Sequence, residues 1–211
     1  MAATINWEKE IQPLLKKYKT TAHPLTYNNL YELLIKVVLS AQDSDKNINK
    51  IAPELFVAFP DMKALSTATD ETLIPLISKV RNFGNKAKWL IGMAQQIKDN
   101  KNIPVTMEGL TALSGIGRKS ANVIRREAGE KPEGLIVDLH VVRVAPRLGI
   151  SKNEKPEKIE KDLMQILPQK DWDAGMAISF LGREICRPTN PNCPECPMNK
   201  VCEYGIKNIS F

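Results

Sequence analysis

The sequence predicts an all-α protein, and three observations carry that expectation. Period-two alternation of apolar and polar residues, the mark of a half-buried strand, is nearly absent. Apolar residues recur instead at i, i+3, i+4 and i+7, the spacing of one helix face. Glycines follow the periodic segments and prolines open them, the usual stop and start signals.

In chain order, "YNNLYELLIKVVLSAQ" places Leu30, Leu33, Leu34, Val37 and Val38 on one helical face. "SDKNINKIAPELFVAF" opens on polar Ser44 and carries Ile48, Ile51, Leu55 and Phe59. Pro53 lies inside this pattern and predicts a kink or break, because proline has no N–H to donate. "NKAKWLIGMAQQIKDN" repeats the helical spacing. "RKSANVIRREAG" stops at Gly129, "DLHVVRVAPRLG" stops at Gly149, "KPEKIEKDLMQIL" opens near Pro156, and "DAGMAISFLGREIC" follows. With shorter segments between them, about ten helices are expected, joined by short polar connections.

A chain of 211 residues, 43% hydrophobic and 26% charged, is long enough for one large domain or two small ones. Its 30 Lys+Arg against 24 Asp+Glu leave +6, compatible with a polyanionic partner but not demanding one. The first residues, "MAATINWEKEIQPLLKKYK", have no apolar run, and no stretch approaches the roughly 18 apolar residues of a membrane span. A soluble, cytoplasmic protein without a targeting segment and without a membrane partner is therefore expected.

Composition shifts at Cys186. The stretch "CRPTNPNCPECPMNKVCEYG" is rich in Pro and Cys and has no apolar period, so something other than a hydrophobic face must hold it. All four cysteines of the chain, Cys186, Cys193, Cys196 and Cys202, fall here. In a reducing compartment such clustering points to metal more than to disulfides. Four thiolates suit a tetrahedral Zn²⁺ or a [4Fe–4S] cluster, and spacing does not choose between them.

In "LTALSGIGRKSANVI" a short helix, a Gly-x-Gly turn and a second helix follow one another. Gly115 and Gly117 permit φ > 0 and close backbone approach. Ile116 between them is expected to anchor the turn in the core. The N–H groups opening the second helix, with the positive end of its dipole, form an anion site, and Arg118 and Lys119 sit beside it. Further on, Asp138 precedes a helical run and is placed to cap it.

"LSGIGRKSANVI" resembles the helix-hairpin-helix of the endonuclease III family of DNA glycosylases. "VDLHVVRV" is similar to that family's Val-Asp-x-His segment, "LSAQDSD" to its Leu-Ser-x-Gln segment, and the C-x6-C-x2-C-x5-C tail to its iron–sulfur loop. The correspondence runs in order over nearly the whole chain. It implies a two-lobed helix-hairpin-helix DNA glycosylase fold: a six-helix module over residues 24–133, and a helical domain of residues 1–23 and 134–211 holding a [4Fe–4S] cluster in the loop 186–202. It implies a monomer that acts on double-stranded damaged DNA across a cleft, with Lys119 and Asp138 at its mouth.

In the mechanism this resemblance implies, Lys119 attacks C1′ of a flipped deoxynucleotide and expels the base. The Schiff base so formed allows β-elimination on the 3′ side. A neighbouring cation and a helix N-terminus both disfavour the charged amine, and burial would add to this. Asp138 would stabilise the sugar cation and assist proton movement. Gln42 would fill the space left by the extruded base. Arg183, Arg187 and Lys200 are the implied phosphate contacts, the cluster ordering their loop. His140 matches the family, a hydrogen-bonded structural role being its other reading.

Three departures bear on lesion preference, for which oxidised pyrimidines are the expected class. "VRNFGNKA" puts Arg81 and Asn82 where family members carry a Leu wedge, leaving a polar wedge or Phe83 in its place. Asp43 and Asp45 flank the expected pocket, where a carboxylate can accept from a base N–H. Leu139 and Ser114 stand where Thr and Pro are usual.

Overall fold

The computed structural model describes residues 5–208, and among them there are helices, turns and no strand. The α-helices are α1 (Trp7–Glu10), α2 (Gln12–Tyr18), α3 (Leu30–Ser40), α4 (Asp45–Ala58), α5 (Met62–Leu65), α6 (Asp70–Ile77) and α7 (Phe83–Ile97). After these come α8 (Met107–Thr111), α9 (Arg118–Glu127), α10 (Leu139–Leu148), α11 (Pro156–Ile166), α12 (Ala174–Glu184) and α13 (Glu203–Asn208). The count exceeds the expected ten because α5 and α13 are too short to show a period, and because the first helical stretch is divided at Ile11.

The chain forms two compact units. One is Ala22–Lys131; the other joins the residues through Thr21 to those from Pro132 onward. In the Ala22–Lys131 unit, α3 is central. Asn29 caps it by accepting from the Glu32 N–H at 3.0 Å, and the Glu32 carboxylate accepts in return from the Asn28 N–H at 2.9 Å. Leu33 through Leu39 are all buried, not one face alone, because α4, α7 and α9 each pack against this helix.

Helix α4 runs through Pro53 without a break. Buried Ile48, Ala52 and Leu55 lie on both sides of the proline, and their packing outweighs the roughly 3 kcal/mol that an interior proline costs.

In the other unit, α12 is the axis: every residue from Ala174 to Gly182 is buried. Its glycines allow that. A Cβ on Gly175 would lie 2.5 Å from the Ile136 carbonyl oxygen, and one on Gly182 would lie 2.8 Å from the His140 Cβ. Helix α10 packs along α12, and α13 packs on α10. Helix α2 also lies on α12, with Tyr18 stacked on Phe180 at 5.6 Å between centroids and its hydroxyl donating to Glu184 at 3.0 Å. No helix among the described residues is long and apolar enough to cross a membrane.

Candidate active site

The hairpin α8–turn–α9 belongs to the Ala22–Lys131 unit. Thr106 caps α8 by accepting from the Gly109 N–H at 3.1 Å. The two glycines of the turn do different work. Gly115 is left-handed, with φ +82°, and sits against Trp89 of α7, where a Cβ would meet the ring at 2.8 Å. Gly117 has φ −91° and serves as the N-cap of α9; no side chain caps that helix. The positive end of the α9 dipole lies at this turn, where it favours an anion. Ile116 is buried, as its place between the glycines suggested.

Behind the turn, α9 buries Ala121, Val123 and Ile124 and presents Arg118 and Lys119 at its surface. Lys119, in the first turn, is exposed.

Gln42 links α3 to α4 and is exposed, with φ +59°. Asp43, the next residue, is half-buried and held by protein N–H groups. Its Oδ1 accepts from the Ser44 N–H at 2.7 Å and from Asn47 at 3.0 Å, and its Oδ2 accepts from the Arg81 N–H at 2.8 Å. Burial pushes this carboxyl up, but the hydrogen bonds from Arg81, Asn47 and Ser44 outweigh it and hold the group below the usual carboxylate range. Asn82 has φ +59° and precedes α7; Phe83 opens that helix, partly exposed, and Arg81 is exposed.

Asp138, in the other unit, is the N-cap of α10. Its Oδ1 accepts from the N–H groups of His140 at 2.9 Å and Val141 at 3.0 Å. Its Oδ2 accepts from the Ser179 hydroxyl at 2.6 Å and lies 3.7 Å from Arg183. With a side chain only 13% exposed, the carboxylate is oriented by both oxygens. Leu139, the next residue, is 70% exposed. His140 Nδ1 is 3.3 Å from the Arg143 guanidinium.

All four cysteines are free thiols, and all four line one pocket walled by Leu148, Leu181 and Ile185. Among the described residues no group of three or more His, Cys, Asp or Glu is arranged for a single metal ion. Burial pushes the Cys193 and Cys202 thiols up, and Cys196 to about 11. Thiolates here would need cationic compensation.

Arginines of α10 gather the loop. Arg143 donates to the carbonyls of Gly182 at 2.8 Å and Cys186 at 3.2 Å. Arg147 donates to those of Arg187 at 2.8 Å and Pro188 at 3.1 Å, reaches the Cys186 sulfur at 3.5 Å and stacks on Tyr204. Arg187 and Lys200 are exposed on this loop.

Sequence reasoning missed Ser179, Lys86 and the two arginines. The one local signal was Lys86 in register with the buried positions Leu90, Met93 and Ile97 of α7.

A helix-hairpin-helix with an exposed lysine in one unit, and a helix-capping aspartate and a four-cysteine loop in the other, define a class of DNA-repair protein. Residues 35–169 match the family described as HhH-GPD superfamily base excision DNA repair protein. Over 206 residues the chain is 37% identical to endonuclease III of Synechocystis sp., covering 96% of this chain and 94% of that one. Two solved structures are similar. A trapped covalent endonuclease III–DNA intermediate has TM-score 0.85 and 32% identity and covers 96% of each chain. A non-covalent endonuclease III–DNA complex has TM-score 0.83 and 33% identity, over 93% of this chain and 94% of that one. The chain belongs to the endonuclease III family within the HhH-GPD superfamily. It is a base excision repair enzyme of the DNA glycosylase/AP lyase class.

Proposed function

We propose that Lys119 is the nucleophile of this enzyme and that oxidised pyrimidines in duplex DNA are its substrates. The observation that carries the reading is the exposed Lys119 in the first turn of α9, at the positive end of a helix dipole that suits a phosphate. That a similar structure is a trapped covalent endonuclease III–DNA intermediate supports an enzyme nucleophile. The Lys119 amine attacks C1′ of the extruded nucleotide, the C1′–base bond breaks, and the Schiff base that follows permits β-elimination. Asp138, a half-buried carboxylate held at both oxygens, is the group we assign to stabilise the cationic sugar and assist proton movement. Gln42 and the Arg81–Phe83 loop occupy the duplex around the extruded nucleotide.

The four cysteines fit a [4Fe–4S] cluster. A cluster spreads its thiolate ligands over several metal atoms, which asks for sulfurs around a pocket and not upon one point. The Gly205 N–H donates to the Cys202 sulfur at 3.4 Å, and Arg147 sits beside Cys186, compensation of the kind thiolates need. When bound, the cluster orders the loop that carries Arg187 and Lys200 toward phosphate. Iron and equal acid-labile sulfide in the purified protein, without zinc, would support this; zinc alone would replace it.

The test is borohydride trapping on duplexes holding thymine glycol, dihydrouracil, uracil, 8-oxoguanine or an abasic site, with Lys119→Ala alongside. A cross-link to the oxidised pyrimidines, lost in the variant, is the expected result. A cross-link only to another lesion would change the substrate, and none at all would remove Lys119 as nucleophile.

A further inference from the structure

Two segments of the Ala22–Lys131 unit carry the residues assigned above to the interior of the duplex: Gln42 between α3 and α4, and Arg81–Phe83, the turn that leads into α7 with the first residue of that helix. Each loop holds a non-glycine residue in the left-handed region, Gln42 at φ +59° and Asn82 at φ +59°. A residue with a Cβ held there costs of order 1 kcal/mol or more and stays only where its surroundings hold it.

Those surroundings are one hydrogen-bonded network. The Asp43 carboxylate accepts from the Arg81 N–H at 2.8 Å, from the Ser44 N–H at 2.7 Å and from Asn47 at 3.0 Å. Asn47 also donates to the Lys79 carbonyl at 3.2 Å. On the other side of Gln42, Lys86 donates to the carbonyls of Leu39 at 2.7 Å and Ala41 at 2.6 Å. The residue after Gln42 is therefore bonded to the residue before Asn82, and the residue before Gln42 is pinned as well.

We propose that Asp43 is a positioning residue for base extrusion: its carboxylate fastens the Gln42 turn to the Arg81–Asn82 turn, so that both loops enter the duplex as one rigid pair. The proposal rests on the reading of those loops given under the proposed function. It gives Asp43 a task beyond accepting a hydrogen bond from the lesion, since three protein N–H groups already bind its two oxygens. It also explains how a carboxylate is tolerated so near phosphates, since N–H donors surround it and the Lys86 cation lies nearby. Extrusion is costly for a stacked and paired base and cheap in an unpaired strand. Loss of the fastening should tell on paired substrates first.

The experiment compares the full chain with Asp43→Ala and Asp43→Asn. Asn cannot replace Asp here, because its NH₂ group would face one of the N–H donors. Two rates are measured: single-turnover release of dihydrouracil from a duplex, and cutting at an abasic site in single-stranded DNA. The ratio of the first to the second is expected to fall about tenfold or more in both variants, since only the first rate includes unpairing. Hydrogen exchange at the Arg81 amide is expected to quicken in both. Should the Asp43 variants fail to fold, Asn47→Ala removes one donor and is expected to lower the ratio by a smaller factor. An unchanged ratio, or an equal fall in both rates, overturns the proposal. If the wild-type protein neither releases base nor cross-links under borohydride, it is the nucleophile reading that fails. Exchange at Arg81 then still reports whether Asp43 holds the loop.

Discussion

Ser179 and Asp138, on α12 and at the head of α10, share a 2.6 Å hydrogen bond in which the hydroxyl donates to Oδ2 while Oδ1 caps the helix. One carboxylate thus has a structural oxygen and a second oxygen held by a side chain. Ser179→Ala removes the donor from a buried position and should destabilise by about 1 kcal/mol or more, offset only in part because Ala is the better helix former. A hydrogen bond to a charged group is worth about 1.5–3 kcal/mol, so single-turnover base release should fall about tenfold or more. An unaltered rate would show that Asp138 keeps its orientation without Ser179.

Asp138→Asn separates capping from charge. Asn is as good an N-cap as Asp, and its carbonyl can accept from His140 and Val141. Thermal unfolding should therefore stay within a few degrees of wild type, while base release falls by about two orders of magnitude or more. Asp138→Ala should lose the cap as well, at about 1 kcal/mol. If Asn and Ala cost the same stability and leave base release intact, Asp138 is a cap alone.

The glycines of the hairpin should respond differently to Ala. Gly115→Ala forces a Cβ into the left-handed region and against Trp89, and should destabilise by about 1–3 kcal/mol. Nothing lies within 4 Å of a Cβ on Gly117, and its φ suits any residue, so Gly117→Ala should cost only the N-cap preference for Gly over Ala, about 0.5–1 kcal/mol. Denaturant unfolding of the two variants checks the contrast.

The Asp43 carboxyl titrates below its value in the unfolded chain, because hydrogen bonds outweigh burial. Its ionised form therefore stabilises the native state fully above the unfolded value of about 3.9. That contribution is lost as pH falls through the lower folded value. Wild type should exceed Asp43→Asn in stability at neutral pH, and the gap should narrow once pH falls below about 3.9. A gap independent of pH would mean that the charge is not what matters.

Lys86 is 1% exposed and binds two carbonyls at the end of α3. Lys86→Met keeps the volume but leaves Leu39 and Ala41 without that donor. Leaving such acceptors unsatisfied costs about 1–3 kcal/mol each, so the midpoint of thermal unfolding should fall by roughly 5–10 °C. A midpoint within a degree or two of wild type would show that water replaces the ammonium.

What the sequence disclosed and what it hid follow from range. Helices α3, α7, α9, α10 and α12 were legible because each buries apolar residues at its own period, and Gly149 and Gly129 stop two of them with positive φ. Asp138 as a cap was legible because capping spans only three residues. The Ser179 bond joins positions 41 apart, the Arg81 bond 38 and the Arg143 bonds to Cys186 43 apart, and no local pattern announces them. That Pro53 does not break α4 follows from range as well. The proline is a local signal, whereas the packing of Ile48, Ala52 and Leu55 that overrides it comes from neighbouring helices.

The division of the chain has a temporal meaning. Ala22–Lys131 is a continuous segment, complete once Lys131 has left the ribosome, whereas α2 must wait for α12. Tyr18 and Glu184 are 166 residues apart, so the first helices emerge long before their partner exists. Synthesis thus delivers the hairpin-bearing unit as an early folding domain. The unit holding Asp138 and the cysteines closes last, across the greatest loop entropy in the molecule.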